Sequence, residues 1–204
     1  GLPYSESARL AFDHFSSASA CGRDNFKTNP RASSTSRVIY DHYGKDKFPR
    51  GHENILDAVD KGFGAITTDE ILYPASWVLL GYLIDKRTGL EGYKQFRISH
   101  DELLNELLAE GRGKSIWKIL NLPDMEERLK LYFACVEDYK GQILRCSSVF
   151  SNLVVTDTRK EKAIYPGNKF MTYALFPECN VSLGVSLSAE SGRAVFSAGK
   201  SVLD

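Results

Sequence analysis

The sequence predicts an α/β fold in three stretches: an α/β piece, a long helical linker and a mixed α+β module, with the boundary near residue 147. Three observations predict it. The apolar run Ala8-Arg9-Leu10-Ala11-Phe12 stops at the polar pair Asp13-His14, as a buried strand does where its C-terminal end faces the binding crevice of an open α/β sheet. Apolar residues then recur at three- and four-residue spacing through the middle of the chain, the pattern of amphipathic helices. Beyond Ser147 the spacing shortens to two, with Val181, Leu183, Val185 and Leu187 in alternation, the period of a half-buried strand.

Each element has its own signal. Residues 16–31 read as a Ser-, Gly- and Asn-rich loop broken by Asn29-Pro30. Ser33-Ser34-Thr35 offers caps for a helix over Thr35–Tyr43, closed by Gly44 and Pro49. Ile55, Leu56 and Val59 share a face, so His52–Lys61 reads as a helix ended by Gly62 and Gly64. Tyr73-Pro74 interrupts the chain, Ser76–Ile84 is a strongly apolar helix, and Thr88–Gly92 reads as a loop. Ser99-His100-Asp101-Glu102 fits a capping box, in which serine and carboxylate satisfy each other's backbone amides. Its helix carries the stripe Ile98, Leu103, Leu104, Leu107 and Leu108 and ends at Gly111-Arg112-Gly113. Pro123 opens the longest helix, Asp124–Cys146, with Met125, Leu129, Tyr132, Phe133, Val136, Tyr139, Ile143 and Leu144 recurring along it. Asn152–Asp157 is β-rich and Asn168–Phe176 is a short helix before Pro177. Val181–Leu187 and Arg193–Ala198 form an antiparallel hairpin around the turn Ala189–Gly192.

Composition excludes several classes of function. The 204 residues carry 26 Lys+Arg against 26 Asp+Glu, so a generally basic nucleic-acid coat is ruled out and only a local basic groove remains open. No run of 18 apolar residues occurs, so no helix is expected to cross a membrane. Cys21, Cys135, Cys146 and Cys179 form no C-x-x-C pair. They read as reduced thiols of a cytoplasmic protein, and their spacing gives no zinc site. The chain starts at Gly1 and stops at Asp204; both ends are expected to be cuts through a larger protein.

Few residues stand out as chemistry. A carboxylate and an imidazole at a strand end, Asp13-His14, suit a divalent metal, but the same pair also serves as a helix cap or surface loop. Asp41-His42 repeats it inside a helix, where it reads as solvated. Asp57 and Asp60 share a helix face and read either as metal-ligating carboxylates or as a solvated face with an Asp57–Lys61 pair. Gly199-Lys200-Ser201 follows a strand and could clamp phosphate, with Arg193 adding charge from the same hairpin. The glycine spacing is not that of a Walker loop, and the alternative is a charged sheet edge.

Leu10-Ala11-Phe12-Asp13-His14, followed by Asn29-Pro30-Arg31-Ala32-Ser33-Ser34-Thr35 at a helix start, resembles the DHH phosphoesterase family. There an apolar strand ends in Asp-His-His and a D/N-P-x-A-S-S-T stretch opens the next helix. Ile55-Leu56-Asp57-Ala58-Val59-Asp60-Lys61 falls where that family keeps its last metal-binding aspartate. Phe170–Leu203, with Phe196-Ser197-Ala198-Gly199-Lys200-Ser201, resembles the DHH-associated domain of the nanoRNase and exopolyphosphatase-like branch. The resemblance implies a partial, parallel-sheet DHH domain over 1–122, a linker helix over 123–147 and a partial substrate-binding DHH-associated domain over 148–204.

It also implies a two-manganese phosphoesterase, with Mg2+ as the substitute, working in a crevice between two domains. His14 would be a metal ligand oriented by Asp13. Asp60 would be a second ligand, ahead of Asp57. Lys200, Ser201 and Arg193 would hold substrate phosphate. Substrates would be short single-stranded oligonucleotides, nucleotide phosphates such as 3′-phosphoadenosine 5′-phosphate, cyclic dinucleotides or polyphosphate; no long duplex and no membrane is implied, and a homodimer is compatible. The family's His-x-Asp-x-Asp, its second aspartate motif and its glycine-rich G-G-G-H stretch are absent, and Phe15 stands where the second His of the signature belongs. These 204 residues alone are therefore expected to hold no complete two-metal site and to hydrolyse nothing. The rival reading is a non-catalytic nucleotide-binding or regulatory relative, and a weaker one is a scaffold built on the Asp124–Cys146 helix.

Overall fold

The structure is a computed structural model that describes residues 7–14, 23–48, 52–60, 66–110, 114–188 and 191–203. It is α/β, with a two-stranded parallel sheet and a separate four-stranded mixed sheet among the described residues. The chain divides into two compact units, Gly1–Ala65 and Ile66–Asp204.

In the first unit β1 (Ala11–Asp13) pairs in parallel with β2 (Phe26–Thr28), Ala11 opposite Phe26 and Asp13 opposite Thr28. Strand β2 lies inside the stretch that reads as loop. At three residues it has no period of its own, and pairing with β1 alone makes it a strand. Helix α1 (Thr35–Tyr43) begins where the Ser34 side chain accepts a hydrogen bond from the Arg37 amide. It ends at Gly44, whose positive φ of 84° suits glycine and lets its N–H reach the Tyr40 carbonyl. Val38 and Tyr40 are the buried side of α1. Helix α2 (His52–Asp60) follows. The expected stops at Gly62 and Gly64 lie outside the described residues, as does Cys21.

The second unit is mostly helical before its sheet: α3 (Thr68–Leu72), α4 (Ser76–Ile84), α5 (Leu90–Tyr93), α6 (His100–Glu110), α7 (Ile116–Leu120) and α8 (Pro123–Cys146). The Thr88–Gly92 stretch is not a loop. A 3-10 turn, Lys86–Thr88, hands over to α5 at Gly89, which sits at φ 80° between two helical pieces. The capping box at Ser99 is formed, with Glu102 accepting from the Ser99 amide at 2.8 Å. Leu103 is fully buried, whereas Leu108, expected on the same stripe, is exposed.

Along α8, Met125, Tyr132 and Ile143 enter one core with Ile71, Leu79, Leu83 and Leu103 before it and Met171 after it. Phe133 and Leu144 lie on the wetter flank. Arg128 is buried without waste: its guanidinium donates to the carbonyls of Asp124 and Ile98 and lies 4.3 Å from the Phe96 ring centroid.

The sheet runs β3-β4-β5-β6, comprising Ser147–Phe150, Leu153–Asp157, Val181–Leu187 and Ala194–Lys200. Pairs β3/β4 and β5/β6 are antiparallel and β4/β5 is parallel. Gly199 and Lys200 therefore belong to β6 instead of following it. Helix α9 (Met171–Leu175) starts later than expected, because buried Asn168 spends its side chain on the Ile71 carbonyl and the Phe170 amide. Cys135 and Cys179 are buried, and these with Cys146 are free thiols. Among the described residues no helix is long and apolar enough to cross a membrane.

Two outcomes follow for stability. A Cβ at Gly167 would stand 2.0 Å from the Tyr139 ring. Gly167→Ala should cost about 1–3 kcal/mol through overpacking, read as a fall in the urea midpoint. The Arg145 side chain and then Gln142 hold the Glu161 carboxyl at about 2. A carboxyl lowered on folding stabilises above its ordinary value of 4.5 and loses that contribution as pH falls through its folded value. Glu161→Gln should therefore flatten the loss of melting temperature between pH 4.5 and about 2, without moving the pH 7–9 plateau's slope.

Candidate functional site

Each unit carries one cluster of chemistry-bearing side chains. In the first, the N-terminus of α1 is the organiser. Ser34, buried by the turn it caps, donates its hydroxyl to Asp60 at 2.7 Å. The next residue, Thr35, sets its hydroxyl 2.9 Å from Nδ1 of His14. Asp13 stands 3.7 Å from the same ring nitrogen. His14 at the end of β1 and Asp60 at the end of α2 are thus each one hydrogen bond from adjacent residues. Both side chains are 12% exposed.

Arg37, one turn into α1, completes the cluster. Its Nε donates to Asp60 at 2.8 Å and its terminal nitrogen reaches both Asp60, at 2.7 Å, and Asp57, at 2.8 Å. Burial works against the Arg37 charge, but the hydrogen bonds to Asp60 and Asp57 outweigh it and its pKa stands above the ordinary value. Asp57 is the exposed partner and Asp60 the enclosed one, which is why the two aspartates of one helix face are not equivalent.

The donor set for a cation can be counted. A hard divalent ion takes about six ligands, mostly oxygen. Among the described residues no three His, Cys, Asp or Glu side chains stand together closely enough to hold one. His14 and Asp60 offer one nitrogen and one carboxylate, and the latter is already engaged by Ser34 and Arg37. The described residues do not by themselves fit a two-cation site. Phe15 lies outside the described residues.

In the second unit a cleft of about 560 Å³ opens over one face of the sheet, walled by α8 and the α9 segment. Lys200 lines it, together with Arg87 and Lys169. Ser201 and Arg193 do not line it: the Ser201 amide donates to the Asn180 carbonyl, and Arg193 is exposed beyond the hairpin turn. Sequence reasoning missed Arg37, Arg87 and Lys169. Arg37 follows the capping serine by three positions, a spacing that could have flagged it; the other two have no local signal.

No family model matches the chain, and no curated protein is significantly similar to it. Among solved structures it is similar to the pGpG-specific phosphodiesterase PggH of Vibrio cholerae, with 42% identity and a TM-score of 0.83. The match covers the whole of this chain and 67% of that one.

Ser34→Ala removes a cap and leaves the enclosed Asp60 carboxylate short of a donor. It should lower stability by about 0.5–2 kcal/mol in denaturant titrations, and Ser34→Thr should restore most of it.

Proposed function

The chain belongs to the family of that Vibrio phosphodiesterase, and on this premise we propose that it hydrolyses the phosphodiester bond of a short linear nucleotide, as a DHH-type phosphoesterase. The observation that carries the reading is the 42% identity sustained over the full chain with a TM-score of 0.83. The arrangement at α1 supports it, because it gathers an imidazole and a carboxylate from two elements onto one helix end.

The reaction adds water across one P–O bond. The water oxygen bonds phosphorus, the sugar oxygen leaves and takes up a proton, and pGpG would give two mononucleotides that each carry a 5′-phosphate. In this reading Thr35 and Asp13 fix the His14 ring, a positioning role. Ser34 and Arg37 hold the Asp60 carboxylate. Lys200 meets substrate phosphate from the cleft. Manganese is part of the proposal through the resemblance. Bound, it would activate water and neutralise the phosphate, with His14 and Asp60 as two of its donors. A linear dinucleotide is favoured over a long strand because a formal charge of zero leaves few phosphate contacts to spend.

The test is a product analysis on the native full-length protein with pGpG, cyclic dinucleotide, 3′-phosphoadenosine 5′-phosphate and polyphosphate. pGpG should be cleaved fastest. EDTA should abolish turnover and Mn2+ restore it. His14→Ala and Asp60→Asn should each lower kcat/KM at least 100-fold, Asp60→Asn together with a fall in melting temperature because it weakens the Ser34 and Arg37 contacts. The 204 residues alone should bind pGpG without cleaving it. A full-length protein that leaves all four compounds intact would overturn the proposal.

A further inference from the structure

We propose that the outer face of the four-stranded sheet is a docking surface for a second copy of this chain, packed sheet against sheet; the inference is independent of the nucleotide reading above.

Alternation along the strands decides which side chains share a face. The register sets Phe150 opposite Leu153 and Leu153 opposite Val181. Leu183 and Leu187 follow Val181 on the same side of β5. Ala194 stands opposite Leu187, which puts Phe196 on that side as well. The other side carries Thr156, Ser182, Gly184 and Ser197 and forms the floor of the cleft beneath α8. Helices thus cover the more polar side of this sheet and leave the apolar side outside, the reverse of the usual arrangement.

The outer side is open to water. Phe196 is 65% exposed, Phe150 60%, Leu187 50% and Val181 39%. None of the six apolar residues joins the core that α8 organises. Single exposed leucines are ordinary on a protein surface; neighbouring ones in register across four strands are not. The polar positions lie at the margin. Ser148 is on the edge strand β3, and Asp157 and Lys200 end β4 and β6. Asp157 is held by Arg159 at 2.6 Å, so the centre of the face is uncharged.

Area and shape select the occupant. Strands of four, five, seven and seven residues, with about 3.4 Å per residue and about 4.8 Å between neighbours, present about 400 Å² of flat surface. A contiguous apolar patch of that size marks an interaction surface. Two such faces together, with the relief of their side chains added, approach the roughly 1,000 Å² that a specific interface needs. An extended peptide would add along the edge at β6 and leave the face bare. A flat apolar face without a central charge is complementary to itself, as a two-fold contact requires, and sheets pack face to face about 10 Å apart. The cleft opens on the opposite side of the sheet, so both clefts stay free.

The molar mass of the full-length protein and of the 204-residue chain, followed by sedimentation as concentration rises, tests this. Both should pass from monomer to dimer, and the melting temperature should climb with concentration. Phe196→Lys and Leu187→Lys should each weaken dimerisation at least ten-fold, because each would bury an unpaired charge. Phe196→Leu should keep it. Trp117→Lys, at an exposed aromatic of α7, should leave it unchanged. Phe196 and Leu187 are exposed, so circular dichroism and melting temperature equal to those of the dilute native chain should verify that the variants fold. A full-length protein that stays monomeric overturns the inference, and shielding of a Phe196→Cys thiol from labelling in that monomer would assign the face to the rest of its own chain. A dimer that survives both lysine variants, or that Trp117→Lys dissociates equally, also overturns it.

Discussion

The hydroxyl of Ser34 sits at the junction on which the first unit depends. It accepts from the Arg37 amide and so starts α1, and it donates to Asp60 and so fixes where α2 ends. One oxygen therefore satisfies an orphan helix amide and an enclosed carboxylate together. Thr35 does for His14 what Ser34 does for Asp60. Two consecutive side chains thereby set the spacing of an imidazole and a carboxylate that no local structure brings together. Alanine at Ser34 would leave the helix start uncapped and would hand Asp60 to Arg37 alone.

Helix α8 has an analogous double duty in the second unit. Its buried residues, Met125, Tyr132 and Ile143, share one core with residues from both sides of position 147. Its C-terminal half also walls the cleft through Tyr139 and Gln142. Gln142 is buried and uses both ends of its amide: the nitrogen donates to Glu161 and the Ala163 carbonyl, and the oxygen accepts from the Tyr165 amide. A buried amide satisfied at both ends rigidifies its surroundings, so the cleft wall is as fixed as the core behind it. Gly167 belongs to the same arrangement, since only hydrogen in place of Cβ leaves room for the Tyr139 ring.

What could be read from the chain follows from where the signal resides. Helix α1 has its caps written beside it, α4 follows the Tyr73-Pro74 break, and β5 alternates over seven residues; all three were legible to the residue. Pro123 marks the start of α8 to within one position. Strands β2 and β3 carry three and four residues, too few for a period, and owe their existence to the neighbour they pair with. Leu108 shows the converse: a leucine at helical spacing is only a candidate for burial, and the packing of α6 leaves it in water. The Asp13-His14 pair and Asp60 stood out by residue type. Arg87 and Lys169 did not, because lysine and arginine are ordinary surface residues until a fold brings them to the lining of a cleft.

Zero formal charge describes the whole chain and not each part of its surface. Some lysines meet carboxylates, as Lys45 meets Glu53, Lys94 meets Glu127 and Lys130 meets Glu126. The lining of the cleft holds three cations and no carboxylate, and Asp85 grips Arg87 from outside it. Burial first and Arg87 second draw the pKa of Lys169 below the ordinary lysine value, with Asp85 opposing. No carboxylate occupies any of the hydroxyl positions of the floor. Serine and threonine stand there instead, and glycine faces two of the serines. The charge along this cleft is therefore set by the fold and not by the composition of the chain.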